Sequence, residues 1–183
     1  MSDPGRTILL AVGGGIAAYK SATVCSRLVQ AGYELRTAMT SSAAEFMGPA
    51  TLAALSGKPV AQGSFESSRF PLGAHIEWTR ELALMIVAPA TANLLAKFAN
   101  GLADDLVSTM YLQAECPVLL APAMSVAMWS KPSVQRNVEL LRRDGCHFVG
   151  PESGWLSCRI RGEGRMAEPD SIVQAALRQI AAR

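Results

Sequence analysis

"TILLAVGGGIAAYKSATVCSRLVQAG", residues 7–32, holds the reading on which the fold depends. "TILLAV" (7–12) is a run of strand length with one polar residue, which predicts a strand buried on both faces. Three glycines interrupt it. From Ile16 the apolar residues recur at helical spacing as far as Gly32, a residue suited to closing a helix in a left-handed turn. The same strand-then-helix alternation continues down the chain. "YELRTAM" (33–39) is a strand and "TLAALSG" (51–57) a short helix. "LALMIVAPA" (82–90) is a buried strand, followed by one or two helices in "TANLLAKFANGLADDLVSTMYLQAE" (91–115). "PVLLAPA" (117–123) is the next strand, and "SVQRNVELLRRDG" (133–145) a helix ending at Gly145. "CHFVGP" (146–151) is a last strand, and "DSIVQAALRQIAAR" (170–183) a final helix with Ile172, Val173, Ala176, Leu177 and Ile180 on one face. Alternating units with apolar strands predict a doubly wound α/β fold, a three-layer sandwich with a central parallel sheet. Two stretches, 61–74 and 150–169, are too irregular for elements and are expected to serve as flaps.

Composition narrows the class. A chain of 183 residues supports one domain, expected to span 1–183. Half of it is hydrophobic and 17% is charged, which predicts apolar surface buried between copies in a homo-oligomer. The formal charge of +2, without a basic run, gives no reason to expect nucleic acid as a partner. No apolar run approaches the roughly 20 residues of a spanning helix, and the start of the chain lacks a signal pattern. The expectation is a cytoplasmic protein with no membrane partner. Cys25, Cys116, Cys146 and Cys158 form no C-x-x-C pair, so neither a zinc site nor a disulfide framework is expected, and no metal.

In such a sheet, ligands collect beyond the carboxyl ends of the strands, so the loops there hold the candidates. The first contains Gly13-x-Gly15-x-x-Ala18, a weak form of the dinucleotide fingerprint, in which glycines admit a phosphate to the backbone. A dinucleotide site would place an acidic residue at the end of the second strand. There the chain reads "AMTSSA", and the hydroxyls of Thr40, Ser41 and Ser42 favour a terminal phosphate, hence a mononucleotide such as FMN over NAD. The other reading is that these hydroxyls cap the next helix. Thr91 and Asn93 follow the "LALMIVAPA" strand and either meet a flat ring or cap a helix. Of the two histidines, His147 lies within a strand, whereas His75 stands at the entry to "IEW" and is a candidate base or proton relay. Cys158 sits in "SGWLSCRIRGEGRMAEP" among glycines and three arginines, a setting for a lid that carries a thiol. Ser125 is the one hydroxyl in "APAMSVAMW" (121–129), either a helix-starting turn residue or a substrate contact.

Taken in order, "GGGIAAYK", "HIEW", "PATAN", "APAMSVAMW" and "SCRIRGEGRM" resemble the homo-oligomeric flavin-containing cysteine decarboxylases over nearly the whole chain. The resemblance implies a flavodoxin-like (Rossmann-like) sandwich, trimers or dodecamers of trimers, and FMN bound at the subunit interface. It implies FMN contacts at Gly14, Gly15, Ile16, Thr40, Ser42, Pro89, Ala90, Thr91 and Asn93. It places substrate at Met124, Ser125, Met128 and Arg165, and makes His75 and Cys158 catalytic, with Cys158 on a flexible clamp at about 152–168. The implied reaction is decarboxylation of a cysteine-derived thiol acid, with 4'-phospho-N-pantothenoylcysteine as first substrate and 4'-phosphopantetheine as product. His75 assists removal of the thiol proton, the flavin carries a hydride out and back, and Cys158 supplies a proton, so no NAD is consumed. Another thiol acid or a C-terminal peptidyl-cysteine is the alternative substrate, and a non-catalytic flavin-binding protein the alternative class. Two positions depart from the family pattern. Ser125 stands where the family has Asn, offering one hydroxyl for a carboxamide's two donors, and Arg159 follows the clamp cysteine where glycine is usual.

Overall fold

The apolar runs become strands for the reason their composition predicts: they lie between two layers of helix. The computed structural model describes residues 6–63 and 70–182. Every residue of β1 (Thr7–Val12) and β4 (Leu84–Ala90) is buried. With β2 (Glu34–Met39), β3 (Val60–Ala61), β5 (Val118–Pro122) and β6 (His147–Phe148) they form one parallel sheet in the order β3-β2-β1-β4-β5-β6. Leaving aside the two-residue edge strand β3, the succession is that of a flavodoxin-like sheet, and it reverses between β1 and β4. The crevice at that switch point is framed by the loops after β1 and β4.

Strand residues alternate faces, and each face has its own core. Ile8, Leu10 and Val12 of β1, with Leu84, Ile86 and Ala88 of β4, pack against Val24 and Leu28 of α1 (Ala18–Gln30), Leu52 of α3 (Pro49–Ser56), and Ile172 and Ala176 of α9 (Pro169–Ala181). Leu9, Ala11, Met85 and Val87 face the other way. They meet Leu94 and Phe98 of α5 (Ala92–Ala99), Val107 and Met110 of α6 (Leu106–Gln113), and Leu141 of α8 (Pro132–Arg143). Each such Val, Leu, Ile, Met or Phe side chain removed from water contributes about 1.5–3 kcal/mol. Among the described residues three short helices complete the set: α2 (Ser41–Ala44), α4 (Ala74–Thr79) and α7 (Val126–Trp129). Among the described residues no helix is long and apolar enough to cross a membrane.

Two expectations are corrected. The last strand of the sheet shrinks to His147 and Phe148, paired with Leu119 and Leu120, because the chain turns at Gly150, whose φ is +75°. The stretch 150–169 is not irregular but a β-hairpin, β7 (Glu152–Trp155) against β8 (Arg161–Arg165), with Trp155 opposite Arg161 and Gly154 opposite Gly162. Its tip is closed by Leu156 N–H donating to Ile160 O at 3.0 Å and Arg159 N–H donating to Leu156 O at 2.9 Å. A third hydrogen bond, Met124 N–H to Gly164 O at 2.9 Å, docks the hairpin on the loop after β5. Of the other expected flap, 64–69 lie outside the described residues, while Val60 and Ala61 form β3 and the Gly73 N–H bonds Phe70 O at 2.9 Å on the way into α4.

Candidate functional site

Two cavities open at the carboxyl ends of the strands, and they share Ala123 and Met124 as a common wall. The first, of about 520 Å³, lies between the start of α1, the loop after β5 and the hairpin. It brings together Gly15, Ile16, Met124, Ser125, Cys158 and Arg165, six of the residues singled out in the sequence. The second, of about 560 Å³, lies between the loops after β1, β2 and β4. It gathers Gly14, Thr40, Ser42, Thr91, Asn93 and Met128. Pro89 and Ala90 line neither; they form the buried end of β4, where Pro89 O accepts the Gly13 N–H at 3.2 Å and Ala90 O the Ala123 N–H at 3.1 Å.

Close approach explains the glycines. A Cβ on Gly13 would lie 2.4 Å from Pro89 O, and one on Gly14 would lie 2.3 Å from Ser42 Cβ, so the three loops can meet only if both positions lack a side chain. Gly15 has open space around it, where it faces the first cavity. Three strand-end hydroxyls have the capping role weighed against ligand binding. Thr40 accepts from Ala43 N–H at 3.2 Å, Thr91 from Leu94 N–H at 3.3 Å and Ser125 from Met128 N–H at 3.4 Å. Each bond uses a lone pair and leaves the hydroxyl proton free to be donated. Capping and ligand contact are therefore compatible at these positions.

Residues that the sequence reading passed over carry most of the charge. Lys20 is 8% exposed and lines the first cavity, where its Nζ donates to Met166 O at 3.3 Å and to Glu168 Oε1 at 3.2 Å. Burial, with the nearby Arg165 guanidinium adding to it, holds the Lys20 ammonium below the usual lysine range. Arg165 also pairs with Glu168. In the second cavity Lys97 is held between Asp104 at 2.6 Å and Asp105 at 2.5 Å, and those bonds push the Lys97 ammonium up. Asp105 is half-buried, which opposes its charge, yet Lys97 and the Ser108 amide together hold its carboxyl below the usual range. Its carboxylate also caps α6 through Ser108 N–H at 2.9 Å. A signal for Lys20 existed: it stands four residues before Val24 and eight before Leu28, on the buried stripe of α1.

His75 stands apart. It is the second residue of α4, half-buried, with its ring against Gly73, and it lines neither cavity of its own chain. That helix is pinned beside β2, where Arg36 donates to the carbonyls of Glu77 (3.1 Å), Trp78 (3.3 Å) and Arg80 (2.7 Å), and Trp78 Nε1 donates to Thr37 O at 3.1 Å. Among the described residues no group of three His, Cys, Asp or Glu side chains could hold a metal ion.

Comparison with known proteins bears on this arrangement. Residues 1–181 match the family model described as Flavoprotein. The coenzyme A biosynthesis bifunctional protein CoaBC of Bacillus subtilis (strain 168) is 44% identical over 176 residues, 96% of this chain and 43% of its own. The chain thus spans less than half the length of that relative. The crystal structure of the FMN-dependent cysteine decarboxylase SpaF superposes with a TM-score of 0.82 at 36% identity, covering 96% of this chain and 97% of that one. A PPC decarboxylase mutant complexed with pantothenoylaminoethenethiol superposes with a TM-score of 0.85 at 28% identity, covering 97% and 99%.

Proposed function

The chain belongs to the Flavoprotein family, and we propose that it is an FMN-dependent decarboxylase of a cysteine-derived thiol acid, with 4'-phospho-N-pantothenoylcysteine as substrate. One observation carries the reading. Cys158, Ser125 and Arg165 meet in a cavity that shares Met124 with a second, hydroxyl-lined cavity at the switch point of the sheet. The names of the relatives support it: SpaF is an FMN-dependent cysteine decarboxylase, and the PPC decarboxylase was captured with an aminoethenethiol.

The second cavity fits a flavin mononucleotide. Its loops approach through Gly13 and Gly14, and Thr40, Ser41 and Ser42 offer hydroxyls for a phosphate. Thr91, Asn93, Met124 and Met128 offer two hydrogen-bonding side chains and two polarisable apolar ones to a flat ring. When bound, FMN supplies a hydride acceptor that is restored within the turnover.

The protein's own groups do the rest. In the first cavity Arg165 and the Ser125 hydroxyl hold the substrate carboxylate, and Met124 keeps the thiol-bearing carbon beside the second cavity. A base takes the thiol proton as that carbon is oxidised to a thioaldehyde. The carboxylate then lies beta to a C=S bond, so carbon dioxide leaves with its bonding electrons delocalised onto sulfur, and an enethiol forms. Return of the hydride, with a proton from Cys158 Sγ, gives the saturated thiol. Over the cycle one carboxylate is exchanged for one hydrogen and no external oxidant is consumed.

The base is His75 of a neighbouring copy. In its own chain His75 lines neither cavity, and Ile16, Tyr19, Leu102, Leu112 and Met128 are exposed apolar side chains that a homo-oligomer, a trimer or a dodecamer of trimers, would cover. A cytoplasmic location belongs to the same reading. Incubation of the flavin-loaded protein with 4'-phospho-N-pantothenoylcysteine is expected to release carbon dioxide and 4'-phosphopantetheine. A flavin-loaded protein that releases neither refutes the proposal.

A further inference from the structure

The first cavity contains a charge arrangement of which the reaction above uses Arg165 alone. Glu168 Oε1 accepts from Lys20 Nζ at 3.2 Å, and the same oxygen pairs with Arg165. Glu152 approaches from β7, where its Oε1 accepts the Glu168 N–H at 3.3 Å. Two cations and two carboxylates therefore balance. An oxyanion that enters the cavity finds its two positive partners already neutralised by the protein itself.

The members of this cluster differ in freedom. The Lys20 side chain is 10% exposed and anchored a second time on Met166 O, so it stays where it is. The Glu168 side chain is 42% exposed and can turn into solvent with little loss of hydration. An anion of the substrate and the Glu168 carboxylate are thus alternative occupants of one place. The fixed element is the cation pair, and the exchangeable one is the glutamate.

We propose that Glu168 is a specificity-determining residue, an internal anion that occupies the Lys20–Arg165 subsite of the empty cavity and is exchanged for an oxyanion of the substrate. It deepens the decarboxylase reading and rests on it for the identity of the substrate. Competition from Glu168 weakens every anion that binds there. A substrate with a strongly charged second oxyanion displaces it, whereas one carrying the carboxylate alone has a single charge to satisfy both the reaction geometry and the cation pair. Glu168 thereby limits the margin by which the enzyme prefers a doubly anionic thiol acid.

The test uses the FMN-loaded protein at low ionic strength, with inorganic phosphate and acetate as probes in calorimetric titrations. Removing one charge at contact distance in a half-exposed site is expected to tighten phosphate binding roughly tenfold in Glu168→Gln. Glu168→Asp retains the charge on a shorter arm and is expected to shift phosphate in the same direction by less. Acetate is expected to shift less than phosphate in both variants; equal shifts would assign the subsite to the carboxylate and overturn the proposed preference. In turnover, KM for the phosphorylated acid is expected to fall relative to its dephosphorylated counterpart while kcat for the two changes in parallel. Unchanged or weaker phosphate binding in the Gln variant overturns the inference. So does failure of both variants to fold, since an exchangeable carboxylate cannot be required for the fold. The titration needs no turnover. A wild-type enzyme that releases no carbon dioxide from any cysteine acid refutes the decarboxylase reading alone, and carbon dioxide release with an unmoved titration refutes this inference alone.

Discussion

Replacing Gly164 by alanine tests whether the hairpin is part of the site or an appendage. Gly164 has φ +140°, a region side chains rarely enter, and a Cβ built on it lies 2.4 Å from Met124 O. The backbone strain costs about 1–3 kcal/mol. Overpacking against a carbonyl that cannot rotate away adds about 1–3 kcal/mol. The Met124 N–H to Gly164 O bond that it disturbs is worth about 1 kcal/mol net. A total of several kcal/mol exceeds what an isolated two-stranded hairpin can bear, so the hairpin is expected to lift off while the sheet persists. Hydrogen exchange is the assay. The Met124 amide and the β7–β8 amides are expected to exchange at least about tenfold faster, the β1 and β4 amides to keep their rates, and decarboxylation to be lost. Gly162→Ala is the control: its Cβ would meet Val126 Cγ2 at 2.6 Å, the end of a side chain that can turn, and a smaller effect is expected. A Met124 amide that stays protected in Gly164→Ala refutes the argument that this contact docks the hairpin.

Gly14→Ala forces Ser42 Cβ away from 2.3 Å, so the FMN-free protein is expected to melt about 2–12 °C lower and to bind FMN weakly. Gly15→Ala meets no atom within 4 Å and is expected to melt with the wild type; a matching loss of stability in both would show that the loop's closeness is not the cause. Cys158→Ser is expected to release carbon dioxide but to leave the product two hydrogens short, as the enethiol, when read by mass spectrometry; full conversion to the saturated thiol would remove Cys158 as proton donor. Cys25 is wholly buried, and that burial pushes its thiol up to about 11 from 9.0. The folded state holds this proton more tightly than the unfolded state, so its contribution is complete below pH 9 and is lost as pH rises toward 11, about 3 kcal/mol in all. Urea midpoints across that range are expected to fall less steeply in Cys25→Ala, and identical slopes would refute the assignment.

What the sequence disclosed and what it hid follow from one distinction. Strands covered on both faces must be apolar, so β1, β4 and β5 were visible as runs, and Gly57 and Gly145, with φ of +68° and +89°, marked the ends of α3 and α8. The hairpin was not visible, because its pairing places Gly154 opposite Gly162 and exposes Ser153 and Trp155, so no apolar alternation announces it. Its order comes from backbone bonds and from docking on Met124, which are properties of the folded chain. The site divides in the same way. Gly14, Thr40, Thr91 and Ser125 stand within three residues of strand ends, where the architecture alone makes a residue a candidate, and the structure gathers them at the two cavities.

Lys20 and Glu168 lie 148 residues apart and meet only because α1 and the start of α9 cover the same face of the sheet. No spacing within either segment encodes that meeting. The lysine's place on the buried stripe of α1 announces that it needs a partner without saying which. Ser125 shows the same limit from the other side. As a helix cap it is explained by its own neighbours, and only its place in the cavity that Arg165 and Cys158 also line gives its free hydroxyl proton a chemical use. A cap alone would tolerate asparagine as readily as serine. Ser125→Asn therefore separates the two roles: stability is expected to hold while KM for the thiol acid changes, and an unchanged KM would reduce Ser125 to a cap.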